Sequence, residues 1–355
     1  MLFIPNNNLS AAILPFRRIA AVCLMAVASV NVMAAEVASD SQMEQGRILV
    51  IGGIDHEQGH VNASLSAMAK YIQSKMADLG VEDVVVVSAP DREHLAQLIR
   101  HGRVDWISQT AYNASYFIQN ADVSVLSRGW RGGSPTYKSI FFVRADSALD
   151  QLEDVSNHTI AFEHPYSTSA YFVPRIELES IGNSLTKQPI GQASSKPDSV
   201  TYTFSQSEYN TAVWVQKGIV DIGVISDGRW QDSRIVPDSF RRSFRVLHET
   251  REVVRALELV RDDLDADIKQ RLRTVLESIH ADVNAKKVRA SYFDTQRFDM
   301  PTEQDISRLN DFAAHTVPVG SGAPAAGVTW LPNSRALKLA GSETLRRAAF
   351  RLERR

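Results

Sequence analysis

Between Phe162 and Arg175 the chain sets three consecutive hydroxyls, Ser167, Thr168 and Ser169, after a strand end and a tight turn at Glu163, His164 and Pro165. They open a helical segment. The first N–H groups of a helix have no intrahelical acceptor and carry the positive end of its macrodipole. Three small hydroxyls there can surround an oxyanion with neutral donors. Ser and Thr are equally ordinary N-caps, so the triplet alone is compatible with anion binding and with a plain capped helix.

A second candidate is His56-Glu57-Gln58-Gly59-His60, which matches the HExxH pattern of zinc proteases. That chemistry needs both imidazoles on one face of a continuous helix. Here the motif follows a strand and the breaker-rich Gly52 to Asp55, with helical periodicity starting only after Val61, so it reads as a cleft loop. No third histidine follows at metzincin spacing. A Gly-x-Ser-x-Gly elbow and a Walker-type loop are absent, and Gly52-Gly53 alone is a weak phosphate signal. Tyr171, Phe172 and Trp214 read as packing residues, and Arg128 and Arg131 as surface charges or as a source of positive potential at a cleft rim.

The elements that hold these residues follow from the hydrophobic pattern. Ile48 to Ile51 reads as a strand; Leu65, Met68, Ile72, Met76 and Leu79 recur at helical spacing and stop at Gly80; Val84 to Val87 form the next strand. Strand and helix alternating in this rhythm imply parallel strands with crossover helices. The pattern continues through Val104 to Ser108, Val123 to Leu126 and Ser139 to Arg144. It restarts after Asp146 with Thr159 to Phe162, a helix from Ser169, a helix from Tyr209 to Lys217, and Val220 to Ser226. Phe244 to His248 and Ala256 to Val260 read as strands returning to the first unit, closed by an amphipathic helix over Asp265 to His280. The expected architecture is two α/β lobes joined by two crossings: lobe I over 35–145 plus 240–316, and lobe II over 146–239.

At the N-terminus, Arg17 and Arg18 precede an apolar run from Ile19 to Val30 that ends in small residues at Ala34-Ala35. This is the layout of a signal peptide, expected over 1–34, and its apolar core is too short for a permanent membrane span. The single cysteine, Cys23, lies inside it, so the mature chain is expected to have no thiol catalysis, disulfide or thiolate metal site. With 39 basic and 41 acidic residues, no global field argues for nucleic acid. The 44% of hydrophobic residues supports a large core. Residues 317–355 read as a Pro/Gly/Ala linker followed by a basic tail that carries no core.

Three stretches then resemble one family. Arg128 to Gly133 with Tyr137 to Ser147, Leu152 to Glu163 with Pro165 and the Ser167-Thr168-Ser169 triplet, and Ser207 to Val215 with Gly218, Val220, Asp221 and Gly223 resemble periplasmic binding proteins of phosphonate, phosphite and phosphate ABC importers. The similarity runs over roughly Arg47 to His315. It implies a two-lobe type II periplasmic-binding fold with the ligand cleft between the lobes. By the same resemblance, Ser167, Thr168 and Ser169 hold the phosphoryl oxygens. A first-lobe tyrosine, Tyr112 or by another register Tyr116, lines the cleft, and Tyr137 and a loop histidine, His56 or His60, border it. The sequence departs from the family at Glu208, which stands where phosphonate binders place a histidine, and near His94, where an expected tyrosine is missing and Arg92 lies nearby. A carboxylate beside an anion costs Coulomb energy unless it is protonated or faces a cationic part of the ligand.

The expected protein is therefore a periplasmic, monomeric solute-binding protein that captures a small oxyanion for an ABC importer permease. A ligand-sensing receptor for a membrane sensor kinase is the alternative, and an HExxH hydrolase the remotest reading. No catalytic residue, metal, cofactor or nucleic-acid partner is expected.

Overall fold

The computed structural model describes residues 46–55, 60–192, 199–313 and 315. The expected signal peptide, His56 with most of the HExxH motif, and the linker and basic tail lie outside the described residues. The architecture below is that of the unit Ile48–Arg355, whose first strand Arg47 opens.

The first sheet has six strands in the order β14-β4-β13-β3-β1-β2, where β1 is Arg47–Ile54, β2 Val81–Ala89, β3 Trp106–Gln109, β4 Val123–Arg131, β13 Ala256–Arg261 and β14 Thr295–Asp299. β1 and β3 pair in parallel, as the crossover rhythm requires, while β13 runs antiparallel to both β3 and β4. Alternation along β1 shows why both faces are covered. Leu49 and Ile51 pack with Met68, Ile72, Ile268 and Leu272, whereas Val50 faces Leu95, Ile107, Phe117 and Leu257. The helix His60–Ser74 and the helix Ala266–Ser278 cover the first face. The helices Arg92–Arg100 and Ala111–Asn120 cover the second.

The second sheet is built the same way, in the order β11-β6-β10-β7-β9-β8, from β6 Ser139–Arg144, β7 Thr159–Phe162, β8 Ser184–Lys187, β9 Ser199–Phe204, β10 Ile222–Ser226 and β11 Phe244–Glu249. Phe141 and Val143 face one apolar cluster, and Ile140 and Phe142 the other. This membership corrects two strand assignments made from the sequence. Ser139–Arg144 and Phe244–Glu249 do not belong to the first sheet; they pair with each other, and β6 pairs in turn with β10. Their apolar alternation fits either sheet, so periodicity could not say which one they join. The crossings fall instead at a two-stranded ribbon, β5 Thr136–Tyr137 against β12 Val253–Val254.

A second correction concerns the triplet. No regular α-turn starts at Ser169; the chain enters through a wide π turn, Thr168–Phe172, with Ala170 at φ −104° and ψ 18°, and only then continues as the helix Val173–Ser180. Pro174 explains the arrangement, because proline has no N–H to donate and is tolerated only in a first helical turn.

Candidate functional site

The carboxyl ends of β3, β7 and β10 each lead into a helix start, and the three starts converge on a cavity of about 380 Å3 between the sheets. Ligands of open α/β sheets lie at such carboxyl ends. From β3 come Ser108, Gln109, Thr110 and Asn113; from β7 come Glu163, His164, Tyr166 and the triplet; from β10 come Ser226 and Arg229. Glu208, Arg131, Tyr137 and Arg255 also line the cavity. Gly52 and Gly53 do so at the end of β1, for a packing reason. A Cβ on Gly52 would stand 2.7 Å from Val104 Cγ1.

The triplet is buried: Ser167 is 8%, Thr168 2% and Ser169 6% exposed. Its members have different tasks. Ser167 Oγ accepts from the Ala170 N–H at 3.1 Å, an N-cap bond, and its own hydroxyl bonds the Glu163 carboxyl. Thr168 Oγ1 donates to Thr110 Oγ1 at 2.9 Å and accepts from the Tyr112 N–H at 3.1 Å, so it ties the two lobes together. Asn113 Nδ2 donates to the Tyr166 carbonyl at 3.3 Å across the same seam. Tyr137 hydrogen-bonds Thr168 and Ser169; burial pushes its phenol pKa up, and those two bonds pull it back.

Two guanidinium groups reach the cavity, Arg131 from β4 and Arg255 from the crossing, where it lies against Gly228. Arg131 Nη2 donates to Ser108 Oγ at 2.8 Å, and the guanidinium sits 4.2 Å from the Phe293 ring centroid. Burial pushes the Arg131 pKa down, opposed by the buried Glu258. The Arg255 guanidinium lies 4.9 Å from the Tyr137 ring centroid. The Nε atoms of both arginines are buried with no hydrogen-bond partner, and among the described residues neither side chain has a carboxylate within ion-pair distance. Two like charges side by side in a cavity are a site prepared for an anion.

The lobe II lining carries acceptors. Glu208 Oε1 accepts from the Ser226 N–H at 2.8 Å and the Ser226 hydroxyl at 3.0 Å, and Oε2 stands 3.4 Å from Arg229 Nε. Burial first and the neighbouring Glu163 second push the Glu208 pKa up, to about 7. Glu163 is also shifted up, by burial, against the Ser167 hydrogen bond and the Arg229 charge. His164 Nε2 is 3.5 Å from Glu163 Oε2.

Of the residues expected from sequence, Ser167, Thr168, Ser169, Tyr137 and Glu208 are brought together around this cavity. His56 lies outside the described residues. Tyr112 and Tyr116 do not line it. The Tyr112 ring stacks on Phe172 at 3.8 Å and 13°, and Arg92 lies over Tyr116, Tyr166 and Tyr112 at 4.2, 5.1 and 5.4 Å. The rim reading of Arg128 and Arg131 splits in the same way. Arg128 is held by both carboxylate oxygens of Asp299, at 2.9 Å each, and by Asp305 at 2.8 Å, whereas Arg131 reaches the cavity. Glu163, Arg229 and Arg255 were not expected as site residues. Glu163 and Arg229 follow strand ends, a local signal that could have found them, whereas Arg255 carries no local signal and is brought in from the crossing by the short ribbon strand.

Residues 55–306 match the family model described as the ABC transporter, phosphonate, periplasmic substrate-binding protein. A Xanthomonas citri protein, XAC2383, is 32% identical with a TM-score of 0.71, covering 75% of this chain and 96% of that one; its structures are described as bound to chloride ion and as bound to ATP. The binding-protein component of a Pseudomonas aeruginosa ABC phosphonate transporter is 21% identical with a TM-score of 0.56, covering 87% and 98%. An Escherichia coli aliphatic sulphonate binding protein shares the fold at 14% identity and TM-score 0.50, covering 76% of this chain and 92% of that one. No curated protein matches the chain.

Proposed function

Since this chain belongs to the family of periplasmic substrate-binding proteins of phosphonate ABC transporters, we propose that its cleft captures a phosphoryl oxyanion and presents it to an importer permease. Family members bind and carry a ligand and do not transform it.

The observation that carries the ligand class is the pairing of the buried Thr168 and Ser169 with Arg131 and Arg255 around one cavity. Neutral donors come from lobe II, and the two guanidinium charges come from Arg131 of lobe I and Arg255 of the crossing. Charge-assisted hydrogen bonds to an oxyanion are about twice as strong as neutral ones, and the ligand then joins both lobes. Closure follows because only the closed form offers both sets of contacts. At about 30 Å3 per water, the cavity has room for roughly a dozen water-sized groups, more than the five non-hydrogen atoms of inorganic phosphate. A phosphonate or phosphate ester with an organic part fits that space better. The 32% identical Xanthomonas protein bound to ATP supports the phosphate-ester side of this reading.

The rest of the reading is export through a signal peptide over 1–34 and action as a monomer. A thermal-shift and calorimetric series over phosphate, phosphite, alkylphosphonates, aminophosphonates, ATP and sulfonates tests it. A phosphoryl compound should raise the melting temperature and bind one per chain. If no phosphoryl compound does so, the reading fails.

A further inference from the structure

The cavity carries carboxyls that oxyanion capture alone does not call for. Two guanidinium groups reach it, Arg131 from lobe I and Arg255 from the crossing, where Nη2 lies 3.7 Å from the place a Cβ would take on Gly228. The lobe II lining adds two carboxyls, Glu163 and Glu208, beside the triplet. The groups facing the carboxyls are already engaged: Arg229 stands 3.4 Å from Glu208 and 3.6 Å from Asp232, and His164 Nε2 stands 3.5 Å from Glu163 Oε2. Ser167 has one proton, and Glu163 takes it.

We propose, building on the phosphoryl reading above, that Glu163 and Glu208 act as a proton filter. The cleft admits an oxyanion that brings its own O–H to this wall and rejects sulfonates, which bring none. A tetrahedral oxyanion seated on the triplet and the arginines still turns an oxygen toward the carboxyl wall. A phosphoryl group ionises a second time near neutrality, at about 6 for a phosphate monoester, so it can keep a P–OH and donate it to a carboxylate. A sulfonate presents an acceptor to an acceptor. That contact leaves two buried oxygens unpaired and adds like-charge repulsion. The carboxyl pair thus decides between ligands of one shape and size that differ in proton content. Burial and, for Glu208, the neighbouring Glu163 raise both pKa values, so the filter acts where both carboxyls are ionised and relaxes as pH falls and a carboxyl gains a proton that it can donate to a sulfonate.

The test is calorimetric titration of the mature chain at pH 7.5 with methylphosphonate and methanesulfonate, which are nearly isosteric. The wild type should prefer methylphosphonate by at least thirtyfold. In Glu208→Gln and in Glu163→Gln the amide N–H can meet an acceptor, so the preference should fall at least tenfold, mainly through tighter methanesulfonate. A measurement on the wild type alone does not depend on the variants folding. Titrations at pH 8.5 in buffers of different ionisation enthalpy should show close to one proton taken up with methylphosphonate.

Equal affinity for the two ligands in the wild type, or no proton uptake, overturns the filter. An unchanged preference in both folded variants also overturns it. So does an aminoethylphosphonate preference over methylphosphonate of more than tenfold that disappears in Glu208→Gln, since the wall would then be holding an ammonium. Failure of the wild type to bind any phosphoryl ligand overturns the underlying reading instead.

Discussion

Thr168 Oγ1 donates to Thr110 Oγ1 at 2.9 Å, and the two threonines stand at helix starts in opposite lobes. In the proposed reading Thr168 also holds the ligand, and its one proton can serve only one of these two contacts at a time.

Thr168→Val, which keeps the shape and removes the hydroxyl, should weaken a phosphoryl ligand at least tenfold, as should Ser169→Ala, for charge-assisted bonds of about 1.5–3 kcal/mol. Thr110→Val should cost less than tenfold, because it releases the Thr168 proton for the ligand. Calorimetry of the three variants checks this ordering.

Ser167→Ala should behave as a stability variant. Its oxygen caps the Ala170 N–H, and loss of such a cap costs about 0.5–2 kcal/mol. Urea denaturation should show that loss, with ligand affinity changed less than in Thr168→Val.

Phe172→Ala should be the most destabilising of the set. Its ring is fully buried, stacks on Tyr112 at 3.8 Å and meets Phe312 edge-on at 5.2 Å. A buried Phe→Ala change costs about 3–5 kcal/mol. These contacts also join a second-lobe helix to the first lobe's apolar cluster, so small-angle scattering of the unliganded variant should show a more open molecule.

The acid pair gives a pH dependence whose sign is fixed. Glu208 loses its charge below about 7, well above the ordinary carboxyl value of 4.5, so a fixed-charge anion such as methanesulfonate should bind more tightly as pH falls from 8.5 to 5.5. Glu208→Gln removes the group that changes charge in this window, so it should flatten the slope. Without ligand, the stability linked to the protonated Glu208 should be fully present below about 4.5 and be lost as pH rises through about 7. Calorimetry and denaturation at a series of pH values measure the two effects.

How far the sequence could be read depended on whether a signal was local. The strand-turn-hydroxyl order of Phe162 to Ser169 located one wall of the site, because caps and turns are local chemistry. The two-lobe architecture was legible from the alternation of strand and helix. The sheet that β6 and β11 join was not, since pairing partners are set by long-range register. Arg255 gave no local sign of its role, and Arg131 looked like its neighbour Arg128. Only the distant Asp299 and Asp305 divert Arg128 away from the cleft. The Tyr112 expectation followed a register, whereas its ring orientation depends on Phe172 and Arg92, residues of other elements.

The most direct test of the central claim is the affinity of methylphosphonate for the wild type and for Arg131→Met/Arg255→Met, measured by calorimetry at two salt concentrations. The account predicts one site per chain, a loss of at least a hundredfold in the double variant, and a weaker salt dependence once the two charges are gone. Binding of equal strength in both proteins, with the variant's fold intact, would contradict it.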